Sequence, residues 1–218
     1  MTPPKKTSTI GISTSKKPPI PTISTPMPLG AVRDKHGIIK TKIGNINIII
    51  LPDSISAKLK LGGETTAKPN NSNISHKYLD GIITSFTPPA PLTVTIQTVY
   101  KKKVKPTNPS AYGRGTTLDD INNSNISLQF HEGSHGSSYL SFFTNNPPPE
   151  FSAKIGMTEK DFILVRDKYL NELKEYFDEV QIRQWREVDC VGTPSSDVLN
   201  KVDGTTCSTL STPNPKYK

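Results

Sequence analysis

The first thirty residues of this 218-residue chain contain no aspartate or glutamate, yet they hold Lys5, Lys6, Lys16 and Lys17. No stretch approaches the ~18 to 20 consecutive apolar residues that a membrane helix requires. Met1 to Pro21 lacks the apolar centre of a secretory signal, so a soluble protein is expected, and export would need another route. Cysteine is scarce: Cys190 and Cys207 do not form a CxxC, which excludes a dithiol redox motif and a four-thiolate zinc site. A disulfide between them and a reduced pair both remain open. The net charge of +8 suggests an anionic partner, but aromatic residues are not interleaved with the lysines as base stacking requires. Nucleic acid is therefore not the expected partner, and the cluster Lys101, Lys102, Lys103 and Lys105 reads as a solvated strand end.

The composition divides the chain. Residues 1–30, rich in Pro, Lys, Ser and Thr, cannot bury enough apolar surface to offset the entropy of ordering, and are expected to form a disordered leader. The folded domain is expected to span residues 31–218. Ile38, Ile39, Ile43, Ile46 and Ile48 to Leu51 suggest a hairpin turning at Gly44 and Asn45. Gly62 to Ser75 reads as a loop, Tyr78 to Phe86 as one strand, and Leu92 to Tyr100 as a strand with period-two alternation. Ala111 to Thr117 reads as a glycine-broken connection or short edge strand, and Asp119 to Asn125 as a polar loop. Ile126 to Phe143 and Thr158 to about Glu187 carry helical periodicity, the first stopped by Asn145, Asn146 and three prolines. A strand-rich N-terminal part followed by two helices makes the fold class α+β.

Within the first long helix, His131, Glu132, Gly133, Ser134 and His135 form an HExxH motif. Histidines four apart lie on one helical face, where both imidazoles reach one Zn²⁺ ion at about 2.0–2.1 Å. Glu132 lies beside them, placed to take a proton from the water the metal activates. A glycine inside a helix costs about 1 kcal/mol, so small residues at 133 and 134 imply that substrate or a neighbouring strand approaches closely there.

Over Leu128 to Gly136 the chain resembles the HExxH zinc metallopeptidases known as zincins. The resemblance implies His131 and His135 as zinc ligands and Glu132 as general base. It does not fix a subfamily. The three-histidine signature is absent, since position 141 is Ser141 and no histidine follows His135. The third ligand is then a downstream carboxylate, as in gluzincin-like or aspzincin-like members, or one of His36 and His76.

Two acids compete for that role. Glu187 continues the apolar stripe Tyr169, Leu173, Tyr176 and Val180, and an acid facing the core calls for a partner such as a metal. Asp189 stands where the helix ends, beside Cys190. Glu172, Glu175 and Glu179 rank lower as members of a solvated helix face. Asp197 ranks lower still, because the stretch from Gly192 carries one residue more than the aspzincin GTxxD element. Tyr176, Arg183 and Arg186 are the candidates for stabilising an oxyanion. Tyr112 and Gly113, in the Ala111 to Thr117 segment, are the candidates for lining a substrate edge, with Leu92 to Tyr100 as the other strand considered.

These readings together describe a zinc-dependent peptidase acting on a protein, a peptide or a peptidoglycan stem peptide. Its size and basic leader suit an effector or toxin delivered by a secretion or injection apparatus that recognises the leader. The competing expectation is a non-catalytic metal-binding structural or interaction protein. A third is a leader that binds anionic surfaces.

Overall fold

The computed structural model describes residues 21–71, 73–193, 207, 210 and 212–218. Eight strands precede or flank three helices, and the architecture is α+β as expected. The strands are β1 (Val32–Arg33), β2 (Ile39–Ile43), β3 (Ile46–Ile50), β4 (Ser54–Ser56), β5 (Gly63–Pro69), β6 (Ser75–Leu79), β7 (Ile82–Thr87) and β8 (Thr93–Lys101). The helices are α1 (Leu118–Asn122), α2 (Leu128–Asn145) and α3 (Glu159–Gln184), the last continued by a π-helical turn over Trp185–Asp189.

The β2–β3 hairpin forms as the isoleucine pattern requires, with Gly44 at φ +54° in its turn. β8 is the organising strand of the six-stranded sheet. On one side β3 and then β4 run parallel to it, end to end; on the other, β5 runs antiparallel along its length from Gly63↔Tyr100 to Pro69↔Val94. Alternation on β3 and β8 sends Ile46, Ile48, Ile50, Val94 and Ile96 into one core with Tyr139, Phe142 and Phe143 of α2 and Tyr176 and Val180 of α3. Fully burying such a side chain stabilises by roughly 1.5–3 kcal/mol, and this shared core fixes α2 across the sheet.

Three local expectations are corrected. The loop expected over Gly62 to Ser75 contains β5, whose Gly-Glu-Thr-Thr-Ala-Lys-Pro sequence has little intrinsic strand signal and is held extended by β8. The single strand expected over Tyr78 to Phe86 is the hairpin β6–β7, turned by Asp80 and Gly81 at φ +51° and +75°, as an Asp-Gly pair favours. The polar loop at Asp119 contains α1, capped by Thr117, whose side chain accepts from the Asp120 N–H. By contrast, α2 stops at the Asn-Pro run, and Thr158 caps α3 by accepting from the Asp161 N–H.

The domain also begins before Ala31. Ser24 donates its N–H to Asp53 Oδ1 at 2.9 Å and shares a 2.6 Å hydrogen bond with the Tyr100 hydroxyl, while Thr25 is buried. This extended segment, not substrate, explains the glycines of α2. A Cβ at Gly133 would meet the Ser24 carbonyl oxygen at 2.8 Å, and one at Gly136 would meet Thr25 Cγ2 at 2.6 Å. Residues 21–30 are thus part of the domain, and the rest of the expected leader lies outside the described residues.

Candidate metal centre

Ser127 caps α2 by accepting from the Phe130 N–H, and the helix then carries His131, Glu132 and His135 inward, all buried. Their ring nitrogens converge on Asp189. Asp189 Oδ1 lies 3.3 Å from His131 Nε2 and 3.2 Å from His135 Nε2. These three side chains are the group among the described residues able to share a metal ion. Ligands of a tetrahedral zinc, bonded at about 2.0–2.2 Å, stand about 3.3–3.5 Å from one another. The observed spacing therefore fits an ion held between two imidazoles and one carboxylate, a donor set that leaves further coordination positions open.

The outer nitrogens of both rings are fixed from behind. His131 Nδ1 donates to the Arg114 carbonyl at 3.0 Å. His135 Nδ1 donates to Gln184 Oε1 at 3.0 Å, Gln184 Nε2 donates to Ser138 Oγ at 3.0 Å, and Ser138 donates to Glu187 Oε2 at 2.7 Å. A carbonyl at one end and a carboxylate at the other can only accept, so both Nδ1 atoms carry a proton, and a neutral ring fixed in this way would present its Nε2 lone pair to an ion at the centre.

Glu187 therefore does not join the cluster. Its side chain is 50 % exposed and terminates the relay behind His135. The apolar stripe of α3 would bring residue 187 to the core if the helix stayed α-helical. The π turn inserts about one extra residue per turn, so the inward positions become Gln184, Val188 and Asp189. His36 is exposed, and its N–H bonds Asp34 in the turn before β2. His76 sits in the β6–β7 hairpin, 3.3 Å from Glu159 and against Phe162. Glu179 pairs with Arg183, while Glu172 and Glu175 belong to the outer part of α3. None joins the cluster, and Asp197 lies outside the described residues.

Glu132 is placed by β5. Its Oε2 accepts from Thr65 Oγ1 at 2.8 Å, and Thr65 in turn shares a 2.8 Å hydrogen bond with Thr98 of β8. Gly63 leaves room for the carboxylate: a Cβ there would stand 2.4 Å from Glu132 Oε1. Burial raises the Glu132 pKa above its ordinary value, against the pull of His135 and His131. Burial opposes the His135 cation, but Asp189 and Glu132 outweigh it and raise that pKa; burial likewise opposes the Asp189 anion, but the two histidines hold its pKa low. Here the His135 cation meets the charge of Asp189 and Glu132, and a metal ion held by the imidazoles would meet it in the same way.

The segment carrying Tyr112 and Gly113 is a run of turns, not a strand. Tyr112 lines the cleft and sets its ring edge-on to His131, 5.0 Å between centroids. Gly113 lies behind the centre rather than along a substrate path. At φ +63°, a Cβ on it would meet the Val188 carbonyl oxygen at 2.3 Å and His131 Cε1 at 2.9 Å. The Arg114 N–H donates to the Val188 carbonyl at 2.7 Å, and the Arg114 side chain is clamped by Asp120, so this segment ties His131 to the Asp189 turn. On the far side of that turn, Cys190 is bonded to Cys207.

The residues expected to stabilise an oxyanion are engaged elsewhere. Tyr176 donates to the Asn146 carbonyl, Arg183 binds Glu179 and the Tyr217 carbonyl, and Arg186 donates to the Leu210 carbonyl. The centre opens instead into a cleft of about 600 Å³ walled by β5 and its preceding segment, Tyr139, and Gln181 and Trp185 of the second helical region. β8 pairs with one edge of β5, and among the described residues no strand pairs with the other. The sequence reading sought a substrate edge in Leu92 to Tyr100 or Ala111 to Thr117. The former is the central strand, and the latter is not a strand; β5 escaped notice because its sequence lacks apolar alternation. No helix among the described residues is long and apolar enough to cross a membrane. No protein-family model, curated protein or solved structure matches this chain.

Proposed function

We propose that the protein is a zinc-dependent peptidase of the zincin kind, hydrolysing a peptide bond of an extended chain laid along β5. The observation that carries this reading is the meeting of His131, His135 and Asp189 one helical residue from Glu132, at the floor of a cleft beside an edge of β5 that no described strand pairs with. Two imidazoles from an HExxH helix and one carboxylate, with a position left open, match the donor set of a catalytic zinc. Zinc bound there would act as a Lewis acid and lower the pKa of a water toward ~7. Glu132, held by Thr65 and open to the cleft, takes the proton from that water and passes it to the leaving amine. Among the described residues no strand pairs with the outer edge of β5; the Tyr139 hydroxyl holds the Thr65 carbonyl there at 3.4 Å, and the remaining backbone groups of that edge would order a peptide without reading its side chains. The proposal does not extend to delivery through the leader, since Ser24 and Thr25 are built into the domain.

The test is Glu132→Gln in the purified, zinc-loaded chain. Zinc at one equivalent in both proteins is expected, with hydrolysis of unfolded protein or of peptidoglycan stem peptides falling by roughly 10²–10⁴-fold in the variant. Equal behaviour of the two proteins, with zinc bound, would assign the centre to a structural or interaction role. Absence of stoichiometric zinc from both would sink the metallopeptidase reading.

A further inference from the structure

Resting on that peptidase reading, we infer that the substrate is an acidic peptide, with carboxylate side chains on both sides of the bond that is cut. The walls of the cleft carry Lys58 and Lys60 on the segment entering β5, and Lys68 near the far end of the strand. Outside the metal centre's own Glu132 and Asp189, the acid on those walls is Glu64. A fourth ammonium stands at the rim, where Lys101 Nζ donates to the Lys60 carbonyl at 3.2 Å. That contact joins the lysine cluster at the end of β8 to the mouth of the cleft. The cluster therefore has a setting that the sequence alone did not suggest.

The arrangement gives the preference a register. Thr65 holds Glu132, so the bond to be cut lies level with Gly63 to Thr65. Lys68 is three residues further along, roughly 10 Å at strand spacing, and Lys60 is five residues back, up to ~17 Å. A peptide paired with β5 would place a side chain about three residues to one side beside Lys68, and its other end would leave the strand at Gly63 toward Lys58 and Lys60. Low-dielectric walls of one sign concentrate ligands of the other sign, and the effect weakens with salt. Pairing along the backbone supplies affinity; the lysines select among sequences.

The experiment uses the zinc-loaded, disulfide-intact full chain and peptides sharing one central sequence, flanked by Asp and Glu or by Lys. Expected is a kcat/KM about ten-fold higher for the acidic peptide at low ionic strength, shrinking in high salt. Reversing Lys58, Lys60 and Lys68 to Glu is expected to invert the ratio, and replacing them by Gln to bring it near one. Equal cleavage of acidic and basic peptides, or a ratio indifferent to these variants, overturns the inference while the peptidase reading stands. Trp185, the single tryptophan of the chain, lines the cleft and reports binding through its emission in Glu132→Gln. Acid-selective binding without cleavage by the parent protein overturns the peptidase reading and keeps the cleft's preference for acidic peptides. A single-stranded oligonucleotide that displaces the acidic peptide at lower concentration than a second acidic peptide does would overturn the assignment to peptides.

Discussion

Ser138 donates its hydroxyl to the Glu187 carboxylate at 2.7 Å, and this contact sets the direction of each hydrogen bond between Glu187 and His135. Glu187 accepts, so Ser138 turns a lone pair to Gln184, and Gln184 turns its carbonyl to the ring. An acid that the helical pattern nominated as a ligand serves as a positioning residue two side chains behind one.

The two acids near the end of the second long helix should therefore behave differently on substitution. Asp189→Ala removes a donor and is expected to abolish stoichiometric zinc binding. Glu187→Gln leaves the donors in place but frees the relay to reverse, and a loss of roughly 10–100-fold in zinc affinity is expected. Titration against a competing chelator, with metal analysis, measures both. Retention of zinc by Asp189→Ala would remove Asp189 from the centre.

Gly63→Ala tests the approach of β5 to Glu132. The added Cβ would stand 2.4 Å from Glu132 Oε1 and 2.9 Å from its Cδ, and Glu132 is buried and tied to Thr65. Neither group can yield freely, so a loss of about 1–3 kcal/mol in stability is expected, together with reduced turnover at unchanged zinc content. Urea denaturation and metal analysis follow the two effects. An alanine variant with full stability and activity would show that strand and helix are not held this closely.

Asp120, linked to His131 through Arg114, provides a pH dependence of its own. Hydrogen bonds from Arg114, then those from the Gly115 N–H and the helix cap, outweigh burial and hold its pKa at about 2, below its ordinary 3.8. A carboxylate with a lowered folded pKa stabilises the protein above its unfolded pKa, and that stability is lost as pH falls through the folded value. The expected window thus runs from about pH 4 down to about 2. Denaturant midpoints measured across that range should fall more steeply for the parent chain than for Asp120→Asn. Identical slopes would mean that the Arg114 pair contributes nothing to folding.

The Cys190–Cys207 bond adjoins Asp189 and closes a separation of 17 residues. A loop of about that size contributes about 3 kcal/mol by restricting the unfolded chain. Reduction, or replacement of both cysteines by Ser, is expected to lower the urea midpoint and to weaken zinc binding by loosening the Asp189 turn. Both are measured in parallel with the oxidised chain. Unchanged zinc affinity after reduction would show that the π turn holds Asp189 without help.

Much of the frame was legible in the residues. The isoleucine alternation, the Gly44 turn and the two long helices follow from periodicity and local hydrogen bonding, which act over a few residues. His131, Glu132 and His135 were legible for the same reason: one helical turn brings them together. β5 was not legible, because its extended form comes from pairing with β8 rather than from its own side chains. The small residues of the motif announced a close approach by substrate or by another segment, and only the packed chain shows that it is Ser24 that lies against Gly133.

The sequence by itself determined an α+β domain and a helix bearing two imidazoles and a carboxylate, because helical spacing is a local property. The tertiary structure decided which acid meets them. A π turn at the end of α3 rotates Asp189 inward and Glu187 outward, and no pattern of 3.6-residue period foretells where a helix will take in one extra residue. It also decided the cleft, since Lys58, Lys60 and Lys68 line one opening with the HExxH residues only once β5 is paired with β8 and packed on α2.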